Sequence, residues 1–216
     1  MINKYTIPLY ILILIGLLWL GSSAQTEIDT LNNPPIVQSV ENVPDFGMAF
    51  PVNYREEFEL YLVVDRPDQT VRHIFAAPQA VEASRAGEPL PDGTQIVIET
   101  WDARLTPLDN IARDDDGRYI AETMDANIHV MEKSSEWTIE ELPSPVGVID
   151  WNFASFDAGT MLPSAENRND CMTCHDAGAF RRDFVFSQRL LTAYANTGNT
   201  QYLYCNRVDR NNCIRS

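Results

Sequence analysis

Cys171-Met172-Thr173-Cys174-His175 concentrates the chain's most distinctive chemistry: two thiols three positions apart, followed at once by an imidazole. On a helix the thiols stand one turn apart. Each can add to a vinyl group of the same haem, and the next residue, His175, is then held beneath the iron as axial ligand. This C-x-x-C-H spacing is the pattern of covalent c-type haem attachment, and one copy implies one haem. The rival readings use fewer of these residues. A thioredoxin-like dithiol would open a helix after a strand of a βαβ unit, whereas this pair follows an irregular stretch over 164–170. A zinc site needs further ligands, and Cys205 and Cys213, with seven residues between them, lack knuckle spacing. A structural disulfide would leave His175 unused.

The other residues that could serve such a group are scattered. Met124, Met131 and Met161 are thioethers that could supply a sixth ligand, although core packing is the commoner use of methionine. Arg72 and Arg189 are candidates for pairing a propionate. Phe75, Phe153 and Phe156 are the aromatics expected nearest the haem, with core as the default. On a strand, Asn127, His129, Met131 and Lys133 share one face and Ile128 and Val130 the other, so His129 either lines a site or faces solvent. His73, between Arg72 and Ile74, reads as structural. Asp114-Asp115-Asp116 lacks the full ligand pattern of an EF-hand and reads as a solvated turn. Cys205 and Cys213 suit a disulfide in a C-terminal tail, the alternative being a reactive thiol pair.

These residues must be positioned by a mixed fold. Segments 58–64, 71–76, 94–101, 127–133 and 146–156 are rich in β-branched and aromatic residues and read as strands. Pro91-Asp92-Gly93 and Asp114-Asp115-Asp116-Gly117 are turn signals, and Pro143-Ser144-Pro145 breaks any helix before the last strand. Pro78 to Ala86 predicts a short helix, with Pro at its start and Gly87 after it. Phe184 to Asn196 predicts another, ending before Gly198. The expected class is α+β: a mainly antiparallel β-sheet with a short helix and a C-terminal helical haem-binding region.

The 216 residues carry 16 Lys plus Arg against 31 Asp plus Glu, a net charge of −15. With 44% hydrophobic residues the chain can bury a core, which argues against wholesale disorder. So acidic a surface repels a phosphate backbone, so no nucleic-acid partner is expected. Residues 1–24 read as a cleaved signal peptide: Lys4 lies before an apolar run, Ile7 to Leu20, and Ser22-Ser23-Ala24 follow. At ~1.5 Å per residue that run reaches about 21 Å, short of a hydrocarbon core of about 30 Å. The expected location is therefore the periplasm or outside the cell. Cleavage would leave 15 basic residues against 31 acidic ones, and Lys133 as the last lysine. Residues 25–44 read as a linker or arm, 45–200 as the haem domain, and 201–216 as a tail closed by the Cys205/Cys213 pair.

Across most of the chain the sequence resembles the cytochrome P-460 family, which includes the cytochrome c′-beta proteins. The matching pieces are Asn53-Tyr54-Arg55-Glu56, Val71-Arg72-His73-Ile74-Phe75, Pro91-Asp92-Gly93-Thr94, Val130-Met131-Glu132-Lys133, Trp151-Asn152-Phe153, the haem motif and Asp183-Phe184-Val185-Phe186. The resemblance implies a mainly antiparallel domain, usually a homodimer, whose five-coordinate haem is open to small ligands on its distal side. Members that oxidise hydroxylamine have a lysine bonded to the porphyrin, at a position matching Ile98 here. Unless Lys133 reaches the ring from another strand, the resemblance therefore favours the c′-beta type, binding nitric oxide or carbon monoxide or carrying electrons. His129 matches an acidic distal residue of the oxidising members, which suggests a proton relay at that position. The acidic surface points to a basic redox partner.

Overall fold

Strand-forming and helix-forming segments assemble into one sheet with the three longer helices packed on one face. The computed structural model describes residues 47–138, 150–205 and 213–215. The expected signal peptide and arm, and the opening residues 146–149 of the expected fifth strand, lie outside the described residues. The elements are α1 (Tyr54–Glu57), β1 (Glu59–Asp65), β2 (Thr70–Ala76), α2 (Pro78–Ala86), β3 (Gln95–Ala103), β4 (Ala121–Lys133), β5 (Trp151–Asp157), α3 (Arg168–Ala179), a 3-10 turn (Phe180–Arg182), α4 (Gln188–Thr197), β6 (Gln201–Cys205) and β7 (Cys213–Arg215). The strand order is β5-β4-β3-β2-β1-β6-β7. Every neighbouring pair is antiparallel except β1 and β6. The class is α+β, as expected.

The period-2 alternation of the strands sorts two cores onto opposite faces. One face presents Ile74, Ala76, Ile96, Met131, Trp151 and Phe153, which pack against Ala80 and Val81 of α2, Met172 of α3, and Leu191 and Ala195 of α4. The other presents Phe75, Val97, Ile128, Val130, Ala154 and Phe156 beneath Met48 and Tyr54. Helix α2 has Pro78 at its start and Gly87 at φ 72° after it, as its sequence predicts. The left-handed conformation is one that glycine adopts without steric cost. Among the described residues no helix is long and apolar enough to cross a membrane.

Three expectations are corrected. Strand β4 starts at Ala121 rather than Asn127, because Thr123 and Met124 pair with Asp102 and Trp101 of β3 and complete a ladder that local propensity does not suggest. The last helix starts at Gln188 rather than Phe184, because Asp183 and Phe184 both have positive φ, 49° and 57°, and cannot open a right-handed helix. The segment from 201 is no loose tail. Gln201–Cys205 lies parallel to β1, and Cys213–Arg215 pairs antiparallel with it. Cys205 is buried and disulfide-bonded, with Cys213 opposite it in the ladder.

Candidate functional site

Helix α3 packs Cys171, Met172 and His175 against the helix-covered sheet face. Met172, within the motif, is 1% exposed and anchors the helix in the core. Cys171 is half-buried, Cys174 is exposed, and both thiols are free. Burial raises the Cys171 pKa, and the Glu166 carboxylate pushes it further in the same direction. Arg168, at the start of α3, donates to the Asn152 side chain at 3.0 Å and so ties the helix to β5.

The His175 ring sits between two aromatic rings, 4.7 Å from Phe153 and 4.9 Å from Phe186 centroid to centroid. Its Nδ1 lies 2.6 Å from the Phe184 carbonyl oxygen. A carbonyl only accepts, so Nδ1 carries the proton and Nε2 keeps the lone pair a metal ligand needs. Burial lowers the His175 pKa and favours this neutral form, while the Phe184 carbonyl opposes the shift. Phe186 comes this close only because residue 178 is glycine. A Cβ there would stand 2.5 Å from the Phe186 ring.

The Phe184 carbonyl reaches Nδ1 from a strained turn. Two consecutive non-glycine residues with positive φ each cost of order 1–3 kcal/mol and need support from their surroundings. That support comes from β4 and β5. Lys133 Nζ, on a residue only 9% exposed, lies 2.7 Å from the Asp183 carboxylate, and Trp151 Nε1 donates to the same carboxylate at 3.4 Å. Lys133 is thus ion-paired with the carboxylate of the turn.

Register places Arg72, Ile98, His129, Met131, Phe153 and Ser155 on the same sheet face as α3. Ile98 pairs with Ile74 and His129, His129 with Ser155, and Met131 with Phe153. His129 does not stand free in solvent. Its Nε2 is 2.8 Å from Glu166, which also accepts from the Ser155 hydroxyl at 2.5 Å and the Asn127 amide at 2.7 Å. Burial opposes ionisation of Glu166, but Ser155, His129 and Asn127 outweigh it and lower its pKa. Arg72 is largely desolvated, which lowers its pKa, and its Nε lacks a hydrogen-bond partner.

Other sequence candidates fall elsewhere. Phe75 and Phe156 belong to the core of the opposite face, leaving Phe153 as the one of the three against His175. Met124 accepts from Arg55 at 3.2 Å and packs against that same opposite core, while Met161 is a partly exposed loop residue. Arg189 lines a cavity with Gly178, Arg181 and Arg182. His73 faces Glu99 at 3.6 Å and stacks near Trp101. Asp114 caps its own turn, accepting from the Asp116 and Arg118 amides.

Sequence reasoning did not single out Glu166, Gly178 or the Lys133–Asp183 pair. A glycine inside a helix three residues after His175 is a visible signal of close packing. Glu166 has no such signal, since only the folding back of its loop brings it to His129. The residues present fit a haem: two free thiols and an imidazole with its Nε2 lone pair free on one helix, beside a sheet face carrying a partly buried guanidinium whose Nε lacks a partner. A family model described as Cytochrome P460 matches residues 51–187, which span β1 to β5, α3 and the Asp183–Phe184 turn. No curated protein gives a significant match to the chain.

Proposed function

From the chain's membership of the cytochrome P460 family, we propose that this protein is an exported monohaem c-type cytochrome whose distal side is open to small ligands such as nitric oxide or carbon monoxide, with electron transfer as its companion activity. Cys171 and Cys174 are the thioether positions and His175 is the axial ligand. When bound, the haem supplies the ligand-binding and one-electron chemistry, and the protein supplies orientation, dielectric and access. The observation that carries this reading is the His175 Nδ1–Phe184 carbonyl hydrogen bond at 2.6 Å. It fixes the tautomer required for ligation through Nε2, on the same helix as the two free thiols.

The chain's own residues define the rest of the site. Phe153 and Phe186 restrict rotation of the imidazole, and the partly buried Arg72 offers a guanidinium to a propionate or an anionic ligand. His129, hydrogen-bonded to Glu166, is placed to exchange protons on the same sheet face. That dyad favours a second reading, hydroxylamine oxidation with electrons passed to another cytochrome. Ile98 at the cross-link position and the pairing of Lys133 with Asp183 argue for the ligand-binding reading instead. A periplasmic location, a homodimer and a basic redox partner complete the proposal, the last because the chain carries a net charge of −15.

Absorption spectra of the oxidised and reduced protein, with and without carbon monoxide, test the open site. A low-spin reduced spectrum that carbon monoxide leaves unchanged would refute it. Steady hydroxylamine-dependent reduction of an acceptor would favour the enzyme. The Cys171→Ser, Cys174→Ser double variant should release haem into acid acetone, whereas retained covalent haem would overturn the attachment.

A further inference from the structure

We infer that the Lys133–Asp183 ion pair is a positioning device for His175: it holds the Asp183–Phe184 turn in its left-handed conformation and thereby sets the strength of the hydrogen bond to His175 Nδ1. The inference rests on the reading of His175 as the axial ligand and deepens it. Three observations converge. Asp183 and Phe184 are consecutive non-glycine residues with φ of 49° and 57°. A bulky aromatic residue avoids that region unless neighbours impose it. The carbonyl of Phe184 is the acceptor for His175 Nδ1. The Asp183 side chain is gripped from the sheet by Lys133 at 2.7 Å and Trp151 at 3.4 Å, with the Lys133 ammonium also 5.8 Å from the centre of the Trp151 ring.

The pairing is built into the sheet. Lys133 and Trp151 are register partners at the end of β4 and the start of β5, so the two donors meet Asp183 from adjacent strands. Lys133 is only 9% exposed, and the Asp183 carboxylate at contact distance offsets the cost of burying its side chain. Phe184 N–H also donates to the Ala179 carbonyl at 3.0 Å, which closes the turn onto the end of α3. The clamp thus fixes the acceptor and α3 fixes the donor. A stronger Nδ1–H···O bond makes the imidazole a more basic ligand, so the pair acts on the iron at second hand.

Resonance Raman spectroscopy of the reduced protein, together with its reduction potential, tests the idea. Lys133→Met and Asp183→Asn should each move the iron–histidine stretch to lower frequency and the potential to more positive values. Lys133→Arg, which keeps a charge on Asp183, should restore both toward wild type. Asparagine tolerates the left-handed region, so Asp183→Asn keeps the turn accessible if Lys133→Met does not accumulate. Phe75→Leu, in the opposite-face core, should lower stability and leave the stretch in place, separating positioning from general loosening. An unchanged stretch and potential in both Lys133→Met and Asp183→Asn would overturn the clamp while leaving His175 as ligand. Absence of an iron–histidine mode in the wild-type protein would instead overturn the ligand assignment, and the clamp with it.

Discussion

Gly178→Ala places the argument about His175 under direct strain. An added Cβ would approach Phe186 Cε1 and Cζ to 2.5 and 2.7 Å, whereas unstrained carbon contacts lie at about 3.5–4.0 Å. The ring must therefore retreat by roughly 1 Å from a position 4.9 Å from His175. Over-packing of this kind costs about 1–3 kcal/mol. Replacing a helical glycine by alanine returns about 1 kcal/mol, so the single variant should lose about 0–2 kcal/mol. With Phe186 already truncated to alanine the clash is gone, and Gly178→Ala should stabilise by about 1 kcal/mol. The two positions should then couple by about 1–3 kcal/mol in a double-mutant cycle. Urea unfolding of the four proteins measures this coupling. A value below about 0.5 kcal/mol would show that the ring does not depend on the missing Cβ, and the packing account of His175 would be refuted.

On the opposite face, burial acts to raise the Glu99 carboxyl pKa, but donation from His73, Tyr54, Arg55 and Trp101 outweighs it and holds the pKa at about 2. Because the folded value is depressed, the contribution is complete above the ordinary 4.5 and is lost as pH falls toward 2, about 3 kcal/mol in all. Urea midpoints over that range should fall in the wild type and stay flatter in Glu99→Gln. Cys205→Ser should cost about 2–3 kcal/mol by opening the short disulfide loop, read as a lower urea midpoint relative to wild type under oxidising conditions. Glu166→Gln should change stability by under about 1 kcal/mol, being a half-exposed partner, yet should flatten the pH dependence of ligand association if the His129 dyad moves protons. A pH profile identical to wild type would count against the dyad. Electron transfer to a cationic partner should slow as salt rises, and a salt-independent rate would remove the case for electrostatic steering.

Much of the site was legible because its chemistry is local. Two thiols, an imidazole and their spacing lie within five residues, so the expectation of haem attachment and axial ligation rests on the order of side chains alone. Helix α2 was legible for a similar reason, since Pro78 and Gly87 act through their own backbone angles. The strands could be placed because branched and aromatic residues alternate, and the same alternation put His129 and Lys133 on one face. It could not say what covers that face. Ends of elements were less legible where a partner strand supplies the hydrogen bonds, as Ala103 and Asp102 of β3 do for the start of β4.

The C-x-x-C-H motif, the α+β class, the net acidic charge and the scarcity of lysine were all readable from the amino-acid order, because each is a property of composition or of spacing within a few bonds. The partner of Lys133 was not readable in this way. Fifty residues separate Lys133 from Asp183, and a pairing at that distance depends on which strand ends meet which turn. The same holds for Glu166 at His129 and for Phe184 at His175. Side-chain identity sets what a group can donate or accept, and the path of the chain decides which groups face each other.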